Sequence, residues 1–193
     1  MSGEGLMLRE SFLSPPECAS IREELAYAHW YPSRVVGRDS DGEIGTHRIS
    51  ETTDESWFTP QLSRRLRRIE ARIEPLLPGF GRRREHWQAT RYSRGGTFKA
   101  HFDCGAWRHD PEGDREHTVL IFLNRPRRGG ETCFPHLGLV VRPAAGLFAA
   151  WRNLKDDGAH DRTKLHSSLA VAEGRKLVLV TWVRQREFER RAK

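Results

Sequence analysis

Hydrophobic residues recur with two different periods along this chain, and the first is helical. Apolar side chains stand three or four positions apart at Leu62, Leu66, Ile69 and Ile73, separated by polar residues. This spacing predicts an amphipathic helix with one buried face. The prolines at positions 75 and 78 are expected to end it.

A second helix is predicted near the N-terminus, after a short strand in the segment LMLR. Ser14 can serve as its N-cap, Pro15 and Pro16 suit its first positions, and Glu17 stands where a capping box requires an acidic residue. Residues 31–58 are polar and contain glycine, which predicts loops around short strands.

From about residue 86 the period changes from helical spacing to two. Short apolar or alternating segments follow one another, separated by Gly, Pro, Asn and Asp, as is typical of strands and tight turns. These segments are HWQATRYS, TFKAHFD, TVLIFLN, GLVVRP, GLFAAW, HSSLAV and KLVLVTWV. The pattern predicts one α+β domain over residues 1–193, with helical support at about 1–85 and a mainly β core at about 86–188. Its helices would pack outside an antiparallel barrel or jelly roll.

Composition narrows the class of protein. The 193 residues carry a net charge of +7, mainly from arginine. The arginine clusters at 64–65, 67–68 and 82–84 lack interleaved aromatic residues, so a solvated surface is favoured over a nucleic-acid platform. No apolar run approaches the ~20 residues of a membrane span, and no secretory signal is recognisable at the N-terminus. Three cysteines without a CxxC pair favour a reduced, cytoplasmic setting.

The segment TFKAHFDCG contains the first candidate for chemistry. In a strand, His101 and Asp103 would project from one face while Phe102 points to the opposite, packing layer. An imidazole and a carboxylate on one face form half of a metal site. A single HxD is a weak signal, because the same pattern occurs on solvated strands.

A possible third ligand and an unusual lysine lie further along the chain. His166 precedes a short strand, a Glu-Gly turn and the segment KLVLVTW. Alternation there places Lys176 on the same face as Val178 and Trp182. If that face is the barrel interior, Lys176 is a buried cation that needs an anionic partner. His117 and His160 are the rival ligands, both expected to face solvent or to support the site from outside.

Several segments together resemble the Fe(II)/2-oxoglutarate-dependent dioxygenases, in particular their prolyl-4-hydroxylase-like branch. The resemblance runs from near residue 12 to 184 and is densest over 91–184. It is carried by FLSPPECASI, RYSRGGTFKAHFD, HTVLIFLN, RRGGETCFP, VRPAAGLFAAW and HSSLAVAEGRKLVLVTWVR, which occur in the order of that family. The resemblance implies a double-stranded β-helix, a cupin-like jelly roll.

The resemblance also implies roles for individual residues. His101, Asp103 and His166 would bind Fe(II), while Lys176 and Tyr92 would bind the distal carboxylate of 2-oxoglutarate. Trp182 would lie near the substrate. Independently of the resemblance, Arg91 and Arg142 are candidates to reach a substrate carboxylate, although a surface position is favoured for both. The cosubstrates would be 2-oxoglutarate and O2, with ascorbate as a supporting reductant, and succinate and CO2 would be released.

The substrate stays open at this stage. Loops 31–58 and 104–116 are expected to form the lid, which suits an amino acid, a small metabolite or a peptidyl residue such as proline. Rim arginines would favour an acidic or carboxylated substrate. Two alternatives remain: a nucleic-acid oxidative demethylase, for which a basic-aromatic platform is missing, and a non-catalytic binding module on the same barrel.

Overall fold

The computed structural model describes residues 5–37, 40–41 and 47–189. Three α-helices occur in this part of the chain: α1 (Pro15–Leu25), α2 (Pro60–Ile73) and the short α3 (Phe80–Arg83). None of the helices in these ranges is long and apolar enough to span a membrane. The predicted helices are confirmed, including the reciprocal capping box of Ser14 and Glu17 at the start of α1.

Short antiparallel strands make up most of the remainder. They are β1 (Leu6–Arg9), β2 (Tyr31–Pro32), β3 (Val36–Gly37), β4 (Ser40–Asp41), β5 (Arg48–Ile49), β6 (Glu51–Asp54), β7 (Gln88–Tyr92), β8 (Thr97–His101), β9 (Arg115–Phe122), β10 (Arg128–Gly129), β11 (Thr132–Phe134), β12 (Leu139–Val141), β13 (Phe148–Arg152), β14 (His166–Ser168), β15 (Val171–Glu173) and β16 (Lys176–Arg184).

Two sheets dominate the architecture. The major sheet has the order β1-β13-β9-β16-β7-β6-β2 and the minor sheet the order β12-β11-β14-β8-β5, while β10–β15 and β3–β4 are two-stranded ribbons. This is the arrangement of a double-stranded β-helix, although the two sheets do not close into one hydrogen-bonded barrel. Strands β1, β2, β5 and β6 show that residues before 86 contribute to the sheets as well as to the helical support. The assignment of residues 1–193 to a single domain stays a prediction.

The two faces of the major sheet pack against different partners. On one face Val119 and Ile121 of β9 join the helices, with Leu66 of α2 buried against them in the same cluster. On the other face Leu120 of β9 and Val178 of β16 point between the two sheets. Strand alternation thus separates a helix-covered layer from an interior layer. The interior layer contains the candidate site.

Candidate active site between the two sheets

A cavity lies between the major and minor sheets, and side chains from both line it. Its walls are Arg48, Thr90, Tyr92, Phe98, His101, Asp103, Thr118, Leu120, Thr132, Trp151, His166, Ser168, Lys176, Val178, Val180 and Trp182. The predicted metal ligands and the predicted cosubstrate residues therefore share one cavity.

Strand pairing brings the two histidines together. His101 ends β8 and lies directly opposite His166, the first residue of the neighbouring β14. Asp103 lies beyond the end of β8, where the chain has left the strand. The expectation that Phe102 faces a packing layer is wrong. Because the strand ends at His101, alternation no longer holds, and Phe102 is exposed on the outer side of the cavity.

The His-Asp-His triad, defined as His101, Asp103 and His166, has converging donor atoms. One ligand atom from each residue lies within 4.8 Å of the others. Nε2 of His101 is 3.7 Å from Oδ1 of Asp103, and Nε2 of His166 is 3.4 Å from Oδ2.

Hydrogen bonds at the far side of each imidazole orient this triad. Nδ1 of His101 lies 2.8 Å from the carbonyl of Lys99, and Nδ1 of His166 lies 3.0 Å from the carbonyl of Lys164. A carbonyl can only accept, so Nδ1 carries the proton and Nε2 keeps its lone pair. This is the pattern by which proteins hold metal-binding histidines.

Hydrogen bonds from neighbouring side chains also orient the carboxylate of Asp103. Its Oδ2 accepts a hydrogen bond of 2.7 Å from the Thr118 hydroxyl, which in turn accepts one of 2.9 Å from the Asn153 amide. Burial alone would raise the pKa of Asp103, but the neighbouring histidines hold it below its usual value. The group is therefore ionised and acts as an acceptor.

Burial keeps His101 neutral. Burial, together with the nearby His166, lowers the pKa of His101 to about 3, although the charge of Asp103 opposes the shift. Two imidazoles with free Nε2 atoms and one ionised carboxylate form the donor set typical of non-haem Fe(II). The residues present thus fit that metal.

Lys176 lies in the interior of the same cavity, so the face of β16 that it shares with Val178 and Trp182 is the interior one. Lys176 is 2% exposed, and its Nζ donates a hydrogen bond of 2.8 Å to the Ser168 hydroxyl. Burial lowers the pKa of Lys176 to about 7, opposed by the charge of Glu131. Among the described residues Lys176 forms no ion pair with a carboxylate; its hydrogen bond goes to Ser168, and Glu131 acts on it only through its charge. Such a cation suits an anionic ligand.

Tyr92 faces Lys176 across the strand pair of β7 and β16, with Nζ 5.0 Å from the ring centroid. Burial raises the pKa of Tyr92, although the charge of Arg48 and hydrogen bonding to Arg48 oppose the shift. Arg48 lines the cavity and hydrogen-bonds Thr90 at 3.1 Å. The sequence did not single out Arg48, because it lies in an irregular polar segment without a period that fixes its direction.

Trp182 lines both this cavity and the neighbouring outer one, and its role near the substrate stays a prediction. The Arg115 guanidinium stacks between Trp182 and Trp107, 3.6 Å from each ring centroid, and forms a bidentate ion pair with Glu85. The indole N–H groups of Trp182 and Trp151 are buried, and neither has an acceptor among the described residues. Both rings line the cavity.

Arg91 and Arg142 do not line the cavity that holds the triad, in keeping with the surface position favoured for them; a contact with substrate stays a prediction. Arg91 alternates with Tyr92 and therefore leaves the cavity face, where it binds Glu51 through two hydrogen bonds and stacks on Trp30. Arg142 follows β12 and is exposed in a different groove. Sequence proximity to the motifs did not determine the direction of either side chain.

The rival histidine His117 does not join the triad. Thr118 of β9 faces Asp103, so the preceding His117 points to the opposite side, where it borders an open groove beside β1. His160 lies close to Asp114 instead, with Nε2 3.6 Å from Oδ2. The triad is therefore assembled without either rival.

Comparisons with known proteins agree with this geometry. The sequence profile of the 2OG-Fe(II) oxygenase superfamily matches residues 87–184, slightly more than half of the chain. Prolyl 4-hydroxylase subunit alpha-2 of Caenorhabditis elegans is 33% identical over 166 residues, covering 81% of this chain and 30% of the relative. A probable prolyl 4-hydroxylase of Arabidopsis thaliana is 28% identical, covering 96% and 64%. The chain spans about a third of the length of the animal relatives.

Solved structures support the same fold. The viral collagen prolyl hydroxylase of Paramecium Bursaria Chlorella virus-1, solved with 2OG, gives a TM-score of 0.73 at 23% identity and covers 94% of this chain and 97% of its own. A Pseudomonas putida prolyl-4-hydroxylase gives 0.65 at 20% identity, covering 94% and 93%. Sequence profile, fold and donor set lead to the same assignment: this chain belongs to the 2OG-Fe(II) oxygenase superfamily.

Proposed function

We propose that this chain is a 2-oxoglutarate-dependent dioxygenase that hydroxylates a carbon of a peptidyl residue, with proline as the first candidate. The observation that carries the proposal is the pairing of two sites in one cavity. A triad suited to Fe(II) and a buried lysine, which has no carboxylate partner among the described residues, both face the space between the sheets.

In this proposal His101, Asp103 and His166 hold the iron. When bound, the metal couples oxidative decarboxylation of 2-oxoglutarate by O2 to hydroxylation of the substrate. The protein contributes orientation: the Lys99 and Lys164 carbonyls keep Nε2 of each histidine free for the metal.

Lys176 would bind the distal carboxylate of 2-oxoglutarate, with Tyr92 beside it. Support comes from the burial of Lys176, its nearest polar contact with Ser168, and the ring of Tyr92 within 5.0 Å of Nζ. An anionic ligand would replace the solvation that burial removes from the ammonium group. Apolar neighbours such as Val178 exclude water from this end of the cavity.

The peptide would enter through an outer cavity next to the triad. Arg34 and Trp107, from the two loops predicted to form the lid, line it together with Phe102 and Arg115. An aromatic and basic rim favours a peptide with acidic residues near the target. Relatives named as prolyl hydroxylases make proline the first residue to test. A cytoplasmic location is part of the proposal, supported by three free cysteines.

The test is a turnover assay with Fe(II), 2-oxoglutarate, O2 and ascorbate, using proline-containing peptides with and without acidic flanks. We expect succinate formation and a peptide mass increase of one oxygen atom with wild type and with the surface control Lys155→Met. His166→Ala should abolish both signals. Equal succinate formation by wild type and His166→Ala would overturn the reaction class. Succinate without peptide oxidation across the peptide set would overturn only the peptide substrate.

A further inference from the structure

We propose that Cys104, Asp114 and His160 form a second metal site that takes a zinc-type divalent cation. It is separate from the His-Asp-His triad and does not depend on the proposed function. One donor atom from each of the three residues lies within 4.8 Å of the others. Sulfur, nitrogen and oxygen from three different segments therefore converge on one point.

The contacts of each donor leave room for a cation. Oδ2 of Asp114 accepts a hydrogen bond of 2.6 Å from the Gly105 amide, and Oδ1 accepts one of 2.9 Å from the Arg115 amide. Each carboxylate oxygen has two lone pairs, so Oδ2 keeps one for a metal. Nε2 of His160 is 3.6 Å from that oxygen, at the distance of two ligands around one ion.

The loop that follows Asp103 leaves space for the imidazole of His160. Gly105 has φ +105°, and a Cβ at this position would lie 2.4 Å from Cε1 of His160. Only glycine therefore allows His160 to pack against the backbone beside Cys104. Because the arrangement depends on a glycine at position 105, it is a more specific feature than three polar residues that merely share a surface.

The Cys104 thiol is buried beside the Asp114 carboxylate, so two of the three donors are already withdrawn from solvent. The thiol itself donates to the Asn153 carbonyl at 3.6 Å. It is thus not hydrogen-bonded to an imidazole, as a nucleophilic cysteine would be. Metal binding explains the three groups better than covalent catalysis.

The donor types determine the kind of metal. Thiolate, imidazole and carboxylate are the ligands of Zn²⁺, and three protein ligands leave a fourth position for water. The Cys104 proton would pass to solvent as the metal–sulfur bond forms. His160 is the most exposed of the three and lies on the solvent side of the site, while Cys104 and Asp114 are buried.

The second site would restrain the segments that carry the triad. Cys104 directly follows Asp103, and His160 precedes His166 by a short loop. Asp114 leads into β9, whose Thr118 hydrogen-bonds Asp103. A cation at this point would tie these three segments together.

Co²⁺ is the probe for the test, because a cobalt–thiolate bond gives a near-ultraviolet charge-transfer band that nitrogen and oxygen ligands do not give. Metal-free wild type is titrated with Co²⁺ under anaerobic conditions. We expect the thiolate band in wild type and in His101→Ala, which loses a triad ligand. Absence of the band from both would overturn the proposal.

Matched variants assign the band to the site. Cys104→Ser and His160→Gln should lose or strongly weaken it, and Gly105→Ala should do the same without removing a donor, whereas Cys133→Ser should keep it. His160 is partly exposed, so its variant tests the site even if Cys104→Ser fails to fold. An undiminished band in folded His160→Gln, or its loss in Cys133→Ser, would overturn the assignment. Retention of the band by His101→Ala separates this outcome from any failure of the oxygenase proposal.

Discussion

The buried ammonium of Lys176 should make the free protein less stable than a variant with an apolar side chain there. Burial moves the pKa of Lys176 from 10.5 to about 7. Each pKa unit corresponds to about 1.4 kcal/mol, so protonated Lys176 lowers the free energy of unfolding by roughly 5 kcal/mol. Lys176→Met removes this cost but also the hydrogen bond to Ser168. We expect a net gain of about 1–4 kcal/mol.

The pH dependence of this gain follows from the direction of the shift. The unfolded chain keeps the Lys176 proton up to about pH 10.5, whereas the folded chain loses it near pH 7. Between these values the unfolded state binds more protons, so the stability of wild type rises with pH. The advantage of Lys176→Met is therefore largest below pH 7 and disappears as pH approaches 10.

The assay is thermal unfolding of the metal-free protein at pH 6 and pH 9.5, followed by circular dichroism. At pH 6 we expect Lys176→Met to melt about 3–12 °C above wild type. The exposed Lys155→Met is the matched control and should not change the melting temperature. Saturating 2-oxoglutarate with a redox-inert metal should stabilise wild type much more than Lys176→Met. A variant that melts below wild type at pH 6, or an advantage that does not change with pH, would refute the reasoning.

Three further predictions concern the cosubstrate, the metal and the core. As pH rises above 7, kcat/KM for 2-oxoglutarate should fall by about tenfold per pH unit, because Lys176 loses its proton. Lys176→Arg should not show this fall over the same pH range. A flat pH profile for wild type would contradict the prediction. Thr118→Val should weaken Fe(II) binding by about 10–100-fold in a metal titration, because it removes the hydrogen bond that orients the Asp103 carboxylate. Unchanged Fe(II) affinity would argue against this orienting role of Thr118. Leu66→Ala should lower the free energy of unfolding by about 2–5 kcal/mol in urea titrations, without changing the affinity for 2-oxoglutarate. A loss of stability below about 1 kcal/mol would show that α2 is not part of the core.

The spacing of apolar residues was sufficient to predict which side chains share a face of a single helix or strand. The face of α2 that carries Leu66 is buried, and Lys176, Val178 and Trp182 share one face of β16, both as the sequence predicted. Within a regular element, the direction of each side chain follows from its position alone.

Features that depend on where an element ends, or on pairing between distant strands, could not be predicted. Phe102 is exposed because β8 stops one residue earlier. Arg48 enters the cavity from the two-residue strand β5, which has no recognisable period in the sequence, and Arg91 leaves the cavity through ordinary alternation with Tyr92. The cluster around Cys104 combines residues far apart in sequence without a recognisable spacing. Such sites require the tertiary structure.

The central claim is that the triad and Lys176 together hold Fe(II) and 2-oxoglutarate in one cavity. The most direct test is the visible charge-transfer absorption that a 2-oxoacid chelated to Fe(II) produces, measured without oxygen. Wild type should develop this band only when both components are present. His166→Ala should not develop it, and Lys176→Met should require far more 2-oxoglutarate. No band in wild type at saturating 2-oxoglutarate, or equal bands in wild type and His166→Ala, would contradict the account.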